Sequence, residues 1–315
     1  MDTKPTGWKQ FERDIARLFQ AAGYGTEQNV DYSGQEFDII ATKRDFGDIN
    51  SRIAIECKLR KTGSVSNADV HEFISAFNAS ARAHGLTYGI IVSNKNFSRQ
   101  AHAAVHAHPQ IRLVVAQTLE RELLGARIYL EFAKGNYRSD FTNYIPLAAK
   151  DVALRAESVA DIQDIAERCK LRLLDPQPSF TILLGDFGSG KTTIAEQVHS
   201  QLADAFLTGE SGVFPLILYL RTLEQYASEE NFIESHLKLS SRDFSLDRLK
   251  MLQIHNKIVL ILDGFDEVAA NASEDERMRL FSRVMRIATR GHSVMLTSRP
   301  SYLTIWKSLG LWLIL

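Results

Sequence analysis

Residues 185–192 read GDFGSGKT, which has the spacing of a glycine-rich phosphate-binding loop. An apolar run, FTILL, precedes the loop and a helical pattern follows it, so the loop would join a strand to a helix. Backbone N–H groups of such a loop surround a phosphate, Lys191 would reach the β- and γ-phosphates, and the Thr192 hydroxyl would bind Mg²⁺. The segment predicts a nucleoside triphosphate site with contacts from Gly185, Gly188, Gly190, Lys191, Thr192 and Thr193.

Two later segments could complete this site. The apolar run 257–262 ends at Asp263, where a carboxylate at the carboxyl end of a parallel strand would hold Mg²⁺ directly or through water. Glu267, with Asp266 as the alternative, is placed to orient or deprotonate the attacking water. A further strand-like run ends just before Arg299, and an arginine there can sense the charge of the γ-phosphate. Ordinary surface loops with solvated charges are the alternative for both segments.

A second group of reactive residues lies near the amino terminus. In the strand-like segment 52–58, Glu56 and Lys58 fall on one face, about 7 Å apart along the strand. Asp38 lies on the preceding strand-like run, 37–40. The two carboxylates could hold Mg²⁺, which activates water, while the lysine positions that water or stabilises developing negative charge. The group predicts metal-assisted phosphodiester hydrolysis; a strand with alternating polar residues is the alternative, because this pattern is common by chance.

The elements that would position these residues form two α/β groups. Up to residue 118, two helical stripes of apolar residues alternate with strand-like runs at 37–40, 52–58, 88–92 and 111–115. A rigid Asp-Pro-Gln-Pro break at 175–178 precedes the second group. There, helical segments separate apolar runs at 180–184, 215–220, 257–262 and 293–297, which is the order of a parallel sheet.

Composition excludes several other classes of protein. With 45% hydrophobic and 24% charged residues in 315, the chain is neither disordered nor fibrous and is long enough for about two domains. A net charge of −1 gives no indication of a partner. Two distant cysteines exclude a disulfide framework, and no apolar run is long enough to span a bilayer. We therefore expect a soluble, cytoplasmic protein without a membrane partner.

Residues 179–300 resemble the NACHT group of STAND-type P-loop NTPases. The motifs GDFGSGKT, LILDGFDE and LTSRP carry the resemblance, together with PLILYLRTL at 215–223. The resemblance implies a three-layer P-loop NTPase with a mostly parallel sheet, which binds ATP and Mg²⁺ as the switch of an oligomeric signalling or defence protein. Such proteins usually continue into a winged-helix region and a repeat sensor, whereas this sequence stops at Leu315. We therefore expect a truncated product, and a homo-oligomer only if the missing region were present.

Residues 7–118 resemble the Mrr-like branch of the restriction-endonuclease, or PD-(D/E)xK, fold. The resemblance lies in GWKQFERDIARLFQAAGY, QEFDIIA, IAIECKLR, GIIVSNKNFSRQA and IRLVV. It implies DNA cleavage with Asp38, Glu56 and Lys58 as catalytic residues; Glu12 fits a position that often adds a carboxylate, with a solvated side chain as the alternative. Glu56 stands where many members carry Gln, which favours metal binding, and Phe37 stands where a small Gly-Ile pair is usual. Basic side chains that could follow the DNA backbone, or be scattered surface charge, are Arg60, Lys61, Lys95 and Arg99.

These observations predict an α/β chain with a restriction-endonuclease-like domain at 1–118, a helical connector at 119–178 and a NACHT-like core at 179–315. The predicted function is a Mg²⁺-dependent DNA endonuclease effector coupled to an ATP-binding switch, in defence against phage or foreign DNA. Two alternatives stay open. One is a nucleotide-gated DNA-binding scaffold that does not cut, and the other is an NTP-driven, modification-dependent restriction enzyme.

Overall fold

The structure is a computed structural model of the chain. It describes residues 6–32, 34–44, 50–138, 141, 146–152, 160–240, 244–305 and 312–314. The chain divides into two compact units, Met1–Ala126 and Arg127–Leu315. Each unit has its own sheet and its own hydrophobic core, so each can be described separately.

The first unit contains a five-stranded sheet with the order β1-β2-β3-β4-β5. Its elements are α1 (Thr6–Ala21), β1 (Gly25–Tyr32), β2 (Gln35–Arg44), β3 (Asn50–Lys58), α2 (Asn67–His84), β4 (Tyr88–Ser93), α3 (Arg99–Val105), β5 (Ile111–Val115) and α4 (Ala116–Leu123). Strands β1, β2 and β3 are antiparallel, whereas β3, β4 and β5 are parallel. The sequence does not predict β1, because its residues are mostly polar and only Tyr32 is buried.

Helix α2 covers one face of this sheet with the predicted apolar stripe. Val70, Phe73, Ile74 and Phe77 are buried, and Phe37 of β2 packs edge-on against Phe73. Phe37 therefore belongs to the core, and the next residue, Asp38, lies on the opposite face of β2. The N-cap of α2, Ser66, accepts a hydrogen bond from the Asp69 backbone N–H in a capping box. This cap fixes the start of α2 a short distance in sequence after β3 ends.

The second unit contains a seven-stranded sheet with the order β7-β6-β12-β8-β11-β10-β9. Its elements are α5 (Ala126–Gly135), β6 (Ala149–Val152), β7 (Ala160–Ile162), α6 (Ile165–Leu174), β8 (Phe180–Leu184), α7 (Lys191–Thr208), β9 (Val213–Tyr219), α8 (Glu229–Ser240), α9 (Leu246–His255), β10 (Lys257–Asp263), α10 (Phe265–Val268), α11 (Glu274–Ala288), β11 (Ser293–Ser298) and β12 (Trp312–Ile314). Strands β12, β8, β11, β10 and β9 are parallel to one another, whereas β6 pairs antiparallel with both β12 and β7. The predicted mostly parallel sheet is confirmed.

Side chains of β10 face two different helical layers. Val259 and Ile261 belong to the core that α6 and α7 form on one face. Ile258 and Leu260 line a space with residues of α8 and α9 on the other face. A strand buried on both faces needs a continuous apolar run, which explains the sequence KIVLIL and the three-layer architecture.

Segment 119–178, for which the sequence predicts a helical connector, contains the helices α5 and α6 and also the strands β6 and β7. Those strands have four and three residues and no apolar run, so the sequence gives no signal for them. Helix α5 packs on the edge strand β9, where the Tyr129 hydroxyl accepts from Ile217 N at 3.2 Å and lies 3.4 Å from Ile217 O. The tyrosine thereby satisfies backbone groups that a neighbouring strand would otherwise bind.

Within the described ranges, no helix has the length and apolar character needed to cross a membrane. Cys57 and Cys169 are both buried, one in each unit. Their reactivity toward a thiol reagent therefore reports the opening of each unit separately.

Candidate nuclease and nucleotide sites

The structure brings Asp38, Glu56 and Lys58 together at the end of β3. Ile39 pairs with Ile55 in the antiparallel ladder, so the next residues along, Asp38 and Glu56, face each other across the two strands. Lys58 Nζ lies 2.9 Å from Glu56 Oε1. Asp38 Oδ2 accepts a 2.7 Å hydrogen bond from the Cys57 N–H. Cys57 lies between Glu56 and Lys58 in the sequence. The three predicted side chains therefore lie at one place, beside one strand end.

The charge of Lys58 is stabilised by its neighbours. Burial by itself lowers the pKa of Lys58, but the Glu56 carboxylate, through its charge and its hydrogen bond, raises that pKa above the ordinary value, with further contributions from Asp69 and Glu72. Lys58 is therefore an ammonium cation at neutral pH. A permanent cation can stabilise negative charge or orient water, but it cannot act as a general base.

The carboxylates of this site suit a magnesium ion. Among the residues that the structure describes, no group of three or more His, Cys, Asp and Glu side chains is close enough to hold an ion alone. Mg²⁺ is usually bound by one or two carboxylates and keeps water or phosphate oxygens in its other positions. Asp38 and Glu56 offer that number of acidic ligands. Glu12 of α1 is only 5% exposed, so the alternative that it is solvated is wrong.

The phosphate-binding loop has the backbone that its glycines require. Strand β8 ends at Leu184, and α7 begins at Lys191. Gly190, the N-cap of α7, has φ +85°, a conformation that side-chain-bearing residues rarely adopt. A Cβ at Gly185 would collide with the Ser189 side chain. Lys191 Nζ donates to Gly185 O at 2.7 Å and to Asp186 O at 3.0 Å, so the ammonium group lies over the loop.

Asp263, at the end of β10, contacts both the start of α7 and the neighbouring strand β11. Its Oδ2 accepts from the Thr192 hydroxyl at 2.9 Å, and its Oδ1 accepts from the Thr297 hydroxyl at 2.6 Å. The Thr297 hydroxyl in turn accepts from Gly264 N at 2.8 Å. Burial raises the pKa of Asp263 and the charge of Glu267 adds to the rise, whereas the two threonine hydrogen bonds oppose it. The two predicted Mg²⁺ ligands, Thr192 and Asp263, are thus already in contact.

Replacing Thr297 by Val should destabilise the second unit by about 1–3 kcal/mol, because Asp263 and the Gly264 N–H would each lose a buried partner. The matched control is Thr181→Val on β8. Thr181 is also buried, and its hydroxyl has no hydrogen-bond partner among the described residues, so its loss should cost nothing. The urea dependence of Cys169 labelling measures both variants. Equal destabilisation by the two substitutions would contradict the role given to Thr297.

Arg299 lies beside Asp266 at the mouth of the same cleft. Arg299 Nε donates to Asp266 Oδ2 at 2.7 Å, and the guanidinium carbon lies 5.3 Å from the centre of the Phe187 ring. Asp266 is 5% exposed, and in the described part of the chain its Oδ1 has no hydrogen-bond partner. With the loop, Asp263 and Glu267, these residues line a cleft of about 470 Å³. The sequence predicts Arg299 but not its pairing with Asp266, 33 positions earlier.

The fold and these contacts define two classes of domain, an α/β unit with a carboxylate–lysine group and a P-loop nucleotide-binding unit. Residues 4–123 match the family model of the restriction endonuclease domain Mrr_cat, and residues 179–310 match the model of the NACHT domain. The first stretch is thus similar to an Mrr-type restriction endonuclease domain and the second to a NACHT domain, so both predicted resemblances are confirmed.

Curated relatives match parts of the chain. The "Uncharacterized WD repeat-containing protein alr3466" of Nostoc sp. (strain PCC 7120) is 31% identical over 143 residues, which cover 42% of this chain and 9% of that protein. Human "NACHT, LRR and PYD domains-containing protein 10" is 28% identical over 131 residues, which cover 39% of this chain and 20% of that protein. The chain thus spans at most about a fifth of these relatives.

Two solved structures are also similar. The protein of unknown function AF1548 has 20% sequence identity and a TM-score of 0.32, with 64% of this chain and 95% of that chain covered. The DNA modification-dependent restriction endonuclease AspBHI has 18% identity and a TM-score of 0.25, with 37% of this chain and 35% of that chain covered. Similarity at this level supports no conclusion about the sites.

Proposed function

We propose that this protein is a Mg²⁺-dependent DNA endonuclease whose activity is controlled by ATP binding to its NACHT domain, and that it acts in defence against phage or foreign DNA. The observation that carries the proposal is the convergence of Asp38, Glu56 and Lys58 at one strand end of a restriction endonuclease domain. Two acids and a cation in that arrangement suit hydrolysis of a phosphodiester bond.

Each residue of the nuclease site has a separate role in this proposal. Asp38 and Glu56 would hold the ion, which supplies a Lewis acid and a more acidic water when bound. Lys58 would stabilise the negative charge that develops on the phosphate, because it stays protonated at neutral pH. Asp38 is kept in place by the Cys57 N–H, so its carboxylate needs little reorganisation when an ion arrives.

The nucleotide site would distinguish ATP from ADP through Arg299. The loop glycines, Lys191, Thr192 and Thr193 would bind phosphates, and Thr192 with Asp263 would hold Mg²⁺. Glu267 would orient the attacking water. A γ-phosphate would compete with Asp266 for the Arg299 guanidinium, which Asp266 holds through one hydrogen bond. This competition would couple nucleotide state to the position of the loop after β10.

We place the nuclease domain at 1–118, the connector at 119–178 and the NTPase core at 179–315, in a cytoplasmic protein. Buried thiols at Cys57 and Cys169 suit a reducing compartment. Assembly of the NACHT domains into a homo-oligomer would bring several nuclease domains onto one DNA molecule.

Supercoiled plasmid, modified and unmodified, tests the proposal. We expect nicked or linear product with Mg²⁺, none with EDTA, and a rate that changes when ATP is added. Absence of cleavage with both Mg²⁺ and Mn²⁺, while salt-sensitive DNA binding persists, would contradict the endonuclease and favour a DNA-binding scaffold.

A further inference from the structure

Arg60 lies two residues after Lys58, where the chain leaves β3, and its backbone is held at two points. Arg60 N donates to Asn94 Oδ1 at 2.8 Å, and Asn94 Nδ2 donates to Arg60 O at 3.0 Å. Asn94 directly follows Ser93, which pairs with Lys58 in the parallel ladder of β3 and β4. The side-chain amide of Asn94 therefore fixes the path of the chain immediately beyond the carboxylate–lysine group.

The Arg60 guanidinium is also held, but only in part. Its Nη2 pairs with Asp69 Oδ2, and the Arg60 side chain remains 36% exposed. Asp69 is fixed in turn by the capping box, in which Ser66 N and Ser66 Oγ donate to Asp69 Oδ2 at 3.0 and 2.6 Å. Arg60 Nε is buried and has no hydrogen-bond partner among the described residues. An arginine has five N–H donors, so this guanidinium keeps donors for a further acceptor.

The charges around the site explain why such a cation is needed there. Glu56 contacts Lys58, Asp38 is bound to the Cys57 N–H and Asp69 pairs with Arg60, so three carboxylates lie close to the end of β3. A nucleic acid backbone that approaches this group meets repulsion unless a second cation faces it. Arg60 is the basic residue that the contacts above hold next to the site, and its planar fork matches two phosphate oxygens.

We propose that Arg60 is a DNA-phosphate-binding residue of the nuclease domain, and that two positioning residues hold it beside the site: Asn94 through the Arg60 backbone and Asp69 through the guanidinium. The inference deepens the proposed function, since it takes DNA to be the ligand. It adds a residue that binds a phosphate next to the one that is attacked, which would fix the substrate relative to Asp38, Glu56 and Lys58.

The first test is the salt dependence of DNA binding by the full chain, measured by fluorescence anisotropy with a short duplex and EDTA. Loss of one phosphate contact in Arg60→Ala should reduce the slope of log K against log salt by about one, which is roughly a tenfold loss of affinity at 0.1 M salt. The matched control is Arg82→Ala, an exposed arginine on the same helix as Asp69 and about 20 Å from it. It should leave the slope unchanged. Equal slopes for wild type and Arg60→Ala would overturn the proposal.

Two milder variants separate phosphate binding from folding. Arg60→Lys keeps the charge, so the slope should stay, but cleavage should fall at least tenfold because lysine cannot form the paired contact. Asp69→Asn leaves Arg60 in the chain but weakens its support, so the salt slope should stay while kcat falls with little change in KM. Protection of Cys57 from thiol labelling verifies that each variant is folded. Wild-type cleavage by both variants would contradict the positioning roles.

The DNA-binding experiment also distinguishes a failure of this inference from a failure of the proposed endonuclease function. A wild-type chain that does not cut DNA, but whose salt slope falls in Arg60→Ala, would remove the endonuclease and leave the phosphate contact in place. A chain that cuts DNA with the same slope in wild type and Arg60→Ala would retain the endonuclease and remove Arg60 from its DNA contacts.

Discussion

Replacing Lys58 or Glu56 by Ala should reduce DNA cleavage by roughly 100- to 1,000-fold, while the nuclease unit stays folded. Lys58→Ala removes the cation that the site keeps protonated, and Glu56→Ala removes both a carboxylate and the 2.9 Å partner of that cation. The rate of plasmid nicking with Mg²⁺ measures the effect.

Lys43→Ala is the matched control for this experiment. Lys43 is a half-buried lysine on the same sheet, but it lies toward the far end of β2, with its Nζ 3.4 Å from Ala22 O and over the Tyr24 ring. The Lys43→Ala variant should cleave DNA at the wild-type rate. If Lys58→Ala also cleaved at that rate, with Cys57 still protected, the assigned site would be incorrect.

Replacing Lys191 by Ala should weaken ATP binding by about 100-fold. The ammonium group lies over the loop, within hydrogen-bonding distance of Gly185 O and Asp186 O, and a charged hydrogen bond to phosphate is worth about 3 kcal/mol. Isothermal titration calorimetry with Mg²⁺-ATP measures the change in Kd.

Lys238→Ala is the control for the nucleotide experiment, because Lys238 is an exposed helical lysine that pairs with Glu234 one turn earlier. Its loss should leave ATP affinity unchanged. An unchanged affinity in Lys191→Ala itself would show that residues 185–192 do not hold the triphosphate.

The sequence predicts the central strands of both sheets because their burial leaves apolar runs. Strand β10 is buried on both faces, so its apolar run is evident in the sequence. The strand ends at Asp263, so this carboxylate lies at the carboxyl end of a parallel strand. Strands β1, β6 and β7 have no such run, so nothing in the local pattern marks them. Periodicity reports burial, and these strands form through pairing with neighbours that are distant in the chain.

The sequence also predicts which side chains meet at each site, but not what holds them. Glu56 and Lys58 are two positions apart on one strand, so their contact follows from local geometry. The contacts of Thr297 with Asp263 and of Asn94 with Arg60 each span 34 positions. Their formation depends on the register of parallel strands, which a single sequence does not specify. Thr297 lies in the LTSRP motif, so the motif indicates its position but not its hydrogen bond to Asp263.

Mn²⁺ binding to the full chain without nucleotide, measured by electron paramagnetic resonance, tests directly whether Asp38 and Glu56 hold a metal ion. We expect Mn²⁺ to bind to the wild type and to Asp263→Asn, and its binding to be lost in Asp38→Asn and in Glu56→Ala. Mn²⁺ binding that is the same in the wild type, Asp38→Asn and Glu56→Ala would contradict a metal-dependent nuclease site at these carboxylates.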